Sequence, residues 1–169
     1  MELFLTPNGR IDQPTYWRAV LTIFGMSAII AVLTTYVSIA LGLLSFATVW
    51  CWIAVHAKRF HDNGKTGWFM LILIVVGVIS NNIFSSILIG ISGYDMVEYQ
   101  REVNAASSAG DFAGLMTLVA EAQKATILPT IVTTLITTGI LGGIMGLFKT
   151  DPNDNQYGPG PAGAAVAFT

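Results

Sequence analysis

The sequence predicts an all-α, polytopic membrane protein: four transmembrane helices, with a short extracytoplasmic helical hairpin between the third and the fourth. Three observations carry that prediction. Of 169 residues, 53% are hydrophobic and only 11% are charged, against about 25% charged in a soluble domain. Residues 19–55 contain no Asp, Glu, Lys or Arg, and neither do residues 69–94. Between these runs lies the most densely charged stretch, Lys58-Arg59-Phe60-His61-Asp62-Asn63-Gly64-Lys65-Thr66-Gly67-Trp68. A polar knot between two long apolar runs reads as a loop at a membrane face.

Residues 2–18 read as an amphipathic lead-in. Pro7-Asn8-Gly9 is a turn signal, and Asp12 or Thr15 is expected to cap a helix beginning near Pro14. Tyr16 and Trp17 are expected at the membrane interface, where aromatic rings are favoured. No basic segment precedes an apolar core here, so the first span, rather than a cleaved leader, is expected to direct insertion. The run 19–55 is too long for one span, which takes about 20 residues. It divides into a first span over 16–37 and a second over 39–59, with the turn at 34–38 or, alternatively, at Gly42. The third span covers 68–91.

Residues 93–125 regain charge, with Asp95, Glu98, Arg101, Glu102, Asp111, Glu121 and Lys124. Ser107-Ser108-Ala109-Gly110-Asp111 divides them into a helical hairpin outside the bilayer, and Asp111 is the expected cap of its second helix. The fourth span covers 127–148, with Pro129 in its first turn, where a missing N–H is harmless. Residues 1–161 thus form one membrane domain, and 162–169 are expected to be a disordered tail.

Lys and Arg set the orientation. With the N-terminus inside, the cytoplasmic segments carry Arg10, Arg18, Lys58, Arg59, Lys65 and Lys149, and the other side carries only Arg101 and Lys124. Both termini are therefore expected in the cytoplasm. Cys51 is the one cysteine, so no internal disulfide supports the fold.

Several chemistries can be weighed residue by residue. Lys58 and Arg59 suit the negative end of the second span's dipole, and Gly64 suits a left-handed turn residue. Trp68 would re-enter the interface. The functional alternative is that Lys58, Arg59, His61 and Lys65 bind an anionic lipid headgroup or a partner's carboxylates. His61-Asp62 alone lacks the ligand count of a metal site. Asp151-x-Asn153-x-Asn155 lacks the Gly and the closing acid of a calcium loop. Gly64-Lys65-Thr66 lacks the strand and earlier glycine of a phosphate loop.

In the fourth span, Gly139/Gly143 and Gly142/Gly146 form overlapping small-xxx-small pairs, expected to pack within the chain or, alternatively, to support self-association. Thr130, Thr133, Thr134, Thr137 and Thr138 fit the same packing role. Asn81 and Asn82 lie at bilayer depth in the third span and are expected either to hydrogen-bond between helices or to line a polar path. His56 is expected to snorkel toward the loop.

Three motifs, in order, resemble the YhaH-like bacterial inner-membrane proteins, whose domain is catalogued as a domain of unknown function (805). They are Gly9-Arg10 with Tyr16-Trp17, the stretch 58–68 quoted above, and Asn155-Gln156-Tyr157-Gly158-Pro159-Gly160-Pro161. The family's second arginine, expected near position 13, is replaced here by Gln13, and 93–125 looks like an insertion. The resemblance implies a bacterial inner-membrane location and no established activity. In the four-span topology the three motifs meet on one face. Arg10, Arg59 and His61 are then expected to cluster with Asp62, Asp151 and Tyr157, tying helix ends together.

The function expected from all this is a small non-enzymatic interaction or accessory module. Its contact residues would be Arg10, Lys58, Arg59, His61, Asp62, Lys65, Trp68, Asn155 and Tyr157. Expected partners are membrane lipids, a larger membrane protein complex, or a second copy through the fourth span; no nucleic acid, metal or cofactor is implied. The alternatives are an anion-binding or lipid-binding protein at the basic loop, and a transporter or channel subunit lined by Asn81, Asn82 and the threonines.

Overall fold

The computed structural model describes residues 2–160. The tail 162–169, expected to be disordered, and Pro161 of the third motif lie outside the described residues. Six α-helices and no β-strand occur among those described. Helix α1 (Glu2–Leu5) is a single turn, and Gly9 in the following turn sits at φ +87°, a region open to glycine.

Helix α2 (Gln13–Tyr36) starts as its sequence dictates. The Asp12 carboxylate accepts from the Thr15 N–H at 2.9 Å, and Pro14 occupies the first turn. It ends at Val37-Ser38, where both N–H groups return to the Leu33 carbonyl. Ile39–Leu44, including Gly42, form a 3-10 turn that leads into α3 (Ser45–Asp62). Gly64, at φ +66°, turns the chain after α3, and a short 3-10 turn at Gly67–Phe69 opens α4 (Met70–Ser92). Gly67 is needed there, because a Cβ would lie 3.0 Å from both the Ala57 Cβ and the His61 Nε2.

The fourth span departs from expectation. No break separates it from the hairpin. Helix α5 (Met96–Ser108) is followed by Gly110 and by the Asp111 cap, and then α6 runs unbroken from Phe112 to Gly146. Residues 112–128 hold Leu, Met, Ala, Glu, Gln and Lys, all strong helix formers. Pro129 is therefore inside a helix rather than at its start. Proline is tolerated in membrane helices whose neighbours re-satisfy the freed carbonyl. At 1.5 Å per residue α6 is about 52 Å long, while the hydrocarbon core is about 30 Å. About 20 Å of α6 must project beyond it, with α5 packed alongside.

Four helical segments are long and apolar enough to span a bilayer: Gln13–Tyr36, Ile39–Asp62, Gly67–Ser92 and Phe112–Gly146. Helix α6 packs against both α2 and α4, and α2 also packs against α3. Helices α3 and α4 make little contact and leave a cleft of about 360 Å³, lined by residues that include Trp52, His56, Leu73, Asn81, Asn82 and Leu141. The buried core gathers at one end of the bundle: Tyr16, Val20 and Ile23 of α2, Cys51 and Val55 of α3, and Leu141 and Met145 of α6. That is the end where α2 begins, α3 ends, α4 begins and α6 ends.

Two aromatic-side expectations are corrected here. Tyr16 is fully buried instead of sitting at the interface. Its hydroxyl lies 3.2 Å from His56 Nε2. His56 in turn is buried instead of snorkelling out, stacks on Trp52 at 4.3 Å, and has Nδ1 2.9 Å from the Trp52 carbonyl. Each supplies the other with a partner, which removes the reason to reach for water.

Candidate functional site: a polar clamp at the shared helix ends

Asp62, the last residue of α3, is the hub. Its Oδ2 accepts from Arg59 Nη1 at 2.6 Å, one turn back on the same helix. Its Oδ1 accepts from Arg10 Nη2 at 3.1 Å. Arg59 and Asp62 side chains are 0% exposed and that of Arg10 is 2% exposed. One carboxylate between two guanidiniums leaves a net positive centre, so further acceptors are required. Backbone carbonyls supply them. Arg10 also donates to Asn153 O at 2.6 Å, Asp151 O at 2.6 Å and Gly158 O at 3.2 Å. Arg59 also donates to Phe148 O and to Thr150 Oγ1.

These contacts close the open end of α6. A helix leaves its last carbonyls without intrahelical donors. Gln13 Nε2, from the first turn of α2, donates to the Gly146 carbonyl at 2.6 Å, and the Gln13 N–H donates to Thr150 Oγ1 at 2.9 Å. Three spans are thus joined by side chains from one and carbonyls from another. The C-terminal segment is held from its other side too. Tyr157 stacks on His61 with ring centroids 3.9 Å apart and planes within 7°. Asn155 Nδ2 donates to the His61 carbonyl at 3.0 Å, and His61 Nδ1 lies 3.2 Å from Gly9 O.

Arg10, Arg59, His61, Asp62, Asn155 and Tyr157 therefore meet. Asp151 joins through its carbonyl only; its carboxylate accepts from the N–H and side-chain amide of Asn153 in a local turn. Lys58 does not join. It is buried about one helical turn before the hub, donating to the carbonyls of Glu2 and Leu3, and Trp50 Nε1 donates to Leu5 O at 2.9 Å. Together they dock α1 along α3. Lys65 and Trp68 stand exposed on the loop, apart from the clamp. Arg59 lies in the last turn of α3, as expected, and both Lys58 and Arg59 also donate to carbonyls of other elements. The anion-binding capacity of Arg10, Lys58 and Arg59 is largely used inside the chain.

The glycine pairs separate. A Cβ on Gly142 or Gly146 would lie 2.9 or 2.7 Å from the Trp17 ring, so this pair makes a seat for Trp17 of α2. Gly139 and Gly143 meet nothing within 4 Å and take no part in packing within the chain. Trp17, being bulky, needs only one glycine pair beneath it. Of the two expectations for Asn81 and Asn82, hydrogen bonding between helices does not appear among the described residues: Asn82 Nδ2 bonds back to the Val78 carbonyl of its own helix at 2.8 Å, while both amides line the cleft between α3 and α4. Thr133 and Thr138 are buried in helix packing, so they do not share a wall with the two amides. Sequence reasoning missed Gln13, Thr150 and Trp17. Only the substitution of Gln for the family's second arginine hinted at the first.

An all-α bundle with four membrane-spanning helices, fastened at one end by a buried Arg–Asp–Arg clamp, defines a multi-pass membrane protein. Residues 4–159 match DUF805, described as a protein of unknown function, and the chain belongs to that family. Neither a curated protein nor a solved structure matches the chain.

Proposed function

We propose that the chain is a small, non-enzymatic protein of the bacterial inner membrane that works as an interaction or accessory module. In this reading both termini lie in the cytoplasm and the α5–α6 hairpin projects on the opposite side. The charge distribution supports that orientation: Arg10, Arg18, Lys58, Arg59, Lys65 and Lys149 belong to the clamped end, and Arg101 and Lys124 to the hairpin. The clamp acts as a fastener that fixes the helix ends.

The observation that carries the reading is the projecting hairpin. Helix α5 buries none of its residues. Phe112, at the tip of α6 and about 20 Å beyond the hydrocarbon by helix rise, is 73% exposed. A large aromatic side chain held there on a helix, outside any lipid, suits a protein contact. The test is a mild-detergent pull-down from native membranes, with proteins and lipids both identified by mass spectrometry. A stoichiometric protein partner is expected with the wild type and with Lys65→Ala, and its loss with Phe112→Glu. Retained anionic lipid that disappears with Lys65→Ala, and no protein partner, would instead favour the headgroup-binding alternative.

A further inference from the structure

The cleft between α3 and α4 is built like a small-molecule site. Its volume of about 360 Å³ falls among ligand pockets of about 300–1,000 Å³, whose walls are mostly apolar with a few polar groups. Trp52, Ile53, Leu73, Ile74 and Leu141 supply apolar wall, and Asn81 and Asn82 supply amides. No Asp, Glu, Lys or Arg lines it. His56 lines it too, but both its ring nitrogens face partners, the Tyr16 hydroxyl and the Trp52 carbonyl. The unspent hydrogen-bonding capacity therefore belongs to the two asparagines. Asn82 uses one N–H on the Val78 carbonyl. The rest of its amide, and all of the Asn81 amide, have no partner among the described residues.

Depth narrows the choice of occupant. Helix α4 begins at Met70, at the clamped end, and Asn82 lies about 18 Å along it by helix rise. The hydrocarbon core is about 30 Å thick, so the amides sit near its midplane, where bare polar groups are costly. A phospholipid cannot serve them. Its phosphate and ester groups stay at the interface, about 15 Å away, and its acyl chain has no polar atom. An ion would find no counter-charge in the lining. A molecule that fits is uncharged, dissolves in the bilayer, and carries acceptors for the amide N–H groups on an apolar body.

We infer that the cleft binds an isoprenoid quinone, an uncharged ring with two carbonyl oxygens on an apolar tail. The ring packs against the apolar wall, and its carbonyl oxygens accept from the Asn81 and Asn82 amides. The reduced form fits the same groups, because a primary amide has an acceptor oxygen for each ring hydroxyl. The inference is independent of the hairpin reading, since it concerns a site inside the bilayer.

Photolabelling of the full chain in lipid nanodiscs tests it, with an azido derivative of an alkyl benzoquinone as the probe and mass spectrometry to locate the label. The label is expected on Trp52, Ile53, Ile74 or Val78. Excess unlabelled alkyl benzoquinone should displace it, and an alkane of the same tail length should not. Asn81→Leu and Asn82→Leu should each raise the quinone concentration needed for half displacement about three- to thirtyfold, the scale of one hydrogen bond in a bilayer. Their thermal stability should hold, because neither amide bonds to another helix among the described residues. Gly139→Ala, which meets open space on α6, should bind as the wild type does. Label spread over Ile72 and Ile83, exposed outside the cleft, equal displacement by the alkane, or unchanged affinity in both asparagine variants would overturn the inference. Wild-type labelling and displacement decide it even where a variant fails to fold.

Discussion

At the residue scale, Asp62 decides the clamp. It is fully buried and faces two guanidiniums, so removing it leaves two buried charges without their counter-ion. Breaking a buried pair this way costs about 3–5 kcal/mol. Asp62→Ala should accordingly lower thermal stability in detergent by an amount of that order, while Lys65→Ala, exposed and unpaired in the loop, should stay within about 0.5 kcal/mol. Tyr157→Ala removes the ring stacked on His61 and should cost about 0.5–1.5 kcal/mol beyond lost burial. A scanning-fluorimetry series over the three variants checks the order. The charged members of the clamp were legible because they sit in dense polar stretches next to predicted span ends. The acceptors were not. Asn153, Gly158, Phe148 and Asp151 contribute backbone carbonyls, and every residue has one, so side-chain identity carries no signal for them.

At the element scale, α6 shows what spacing alone leaves open. Gly139/Gly143 and Gly142/Gly146 are equivalent as sequence, yet only the second pair faces Trp17. Gly146→Ala pushes a methyl into the Trp17 ring and should destabilise by about 1–3 kcal/mol, the usual cost of overpacking. Gly139→Ala meets open space and should be neutral or stabilising by up to about 1 kcal/mol, since glycine is the poorer helix former. Thermal unfolding of the two variants separates them, and equal effects would contradict this seating of Trp17. Helix existence was legible throughout, because charge-free runs of span length leave few other structures in lipid. The continuity of α6 was not. Pro129 reads equally well as a first-turn residue or as an interior one, and the choice depends on whether neighbouring helices hold the turn together.

At the scale of the whole molecule, four spans bring the first, middle and last motifs to one end and send the hairpin to the other. The core lies beneath that polar end, so clamp and core reinforce each other, whereas the far half of the bundle depends on lipid. The even number of spans was legible from composition. The one-sided placement of the core was not, because apolar residues facing lipid and apolar residues facing each other are the same residue types.

The orientation of the bundle is most directly measured by thiol accessibility in intact cells, in the Cys51→Ala background. A single cysteine at Asn153, exposed in the C-terminal segment, should resist a membrane-impermeant reagent until the cells are opened. One at Ser107, exposed in the hairpin, should react at once. Labelling of Asn153→Cys from outside with protection of Ser107→Cys would invert the molecule, and labelling of both from outside would mean an even number of crossings between them, contradicting the single span of α6.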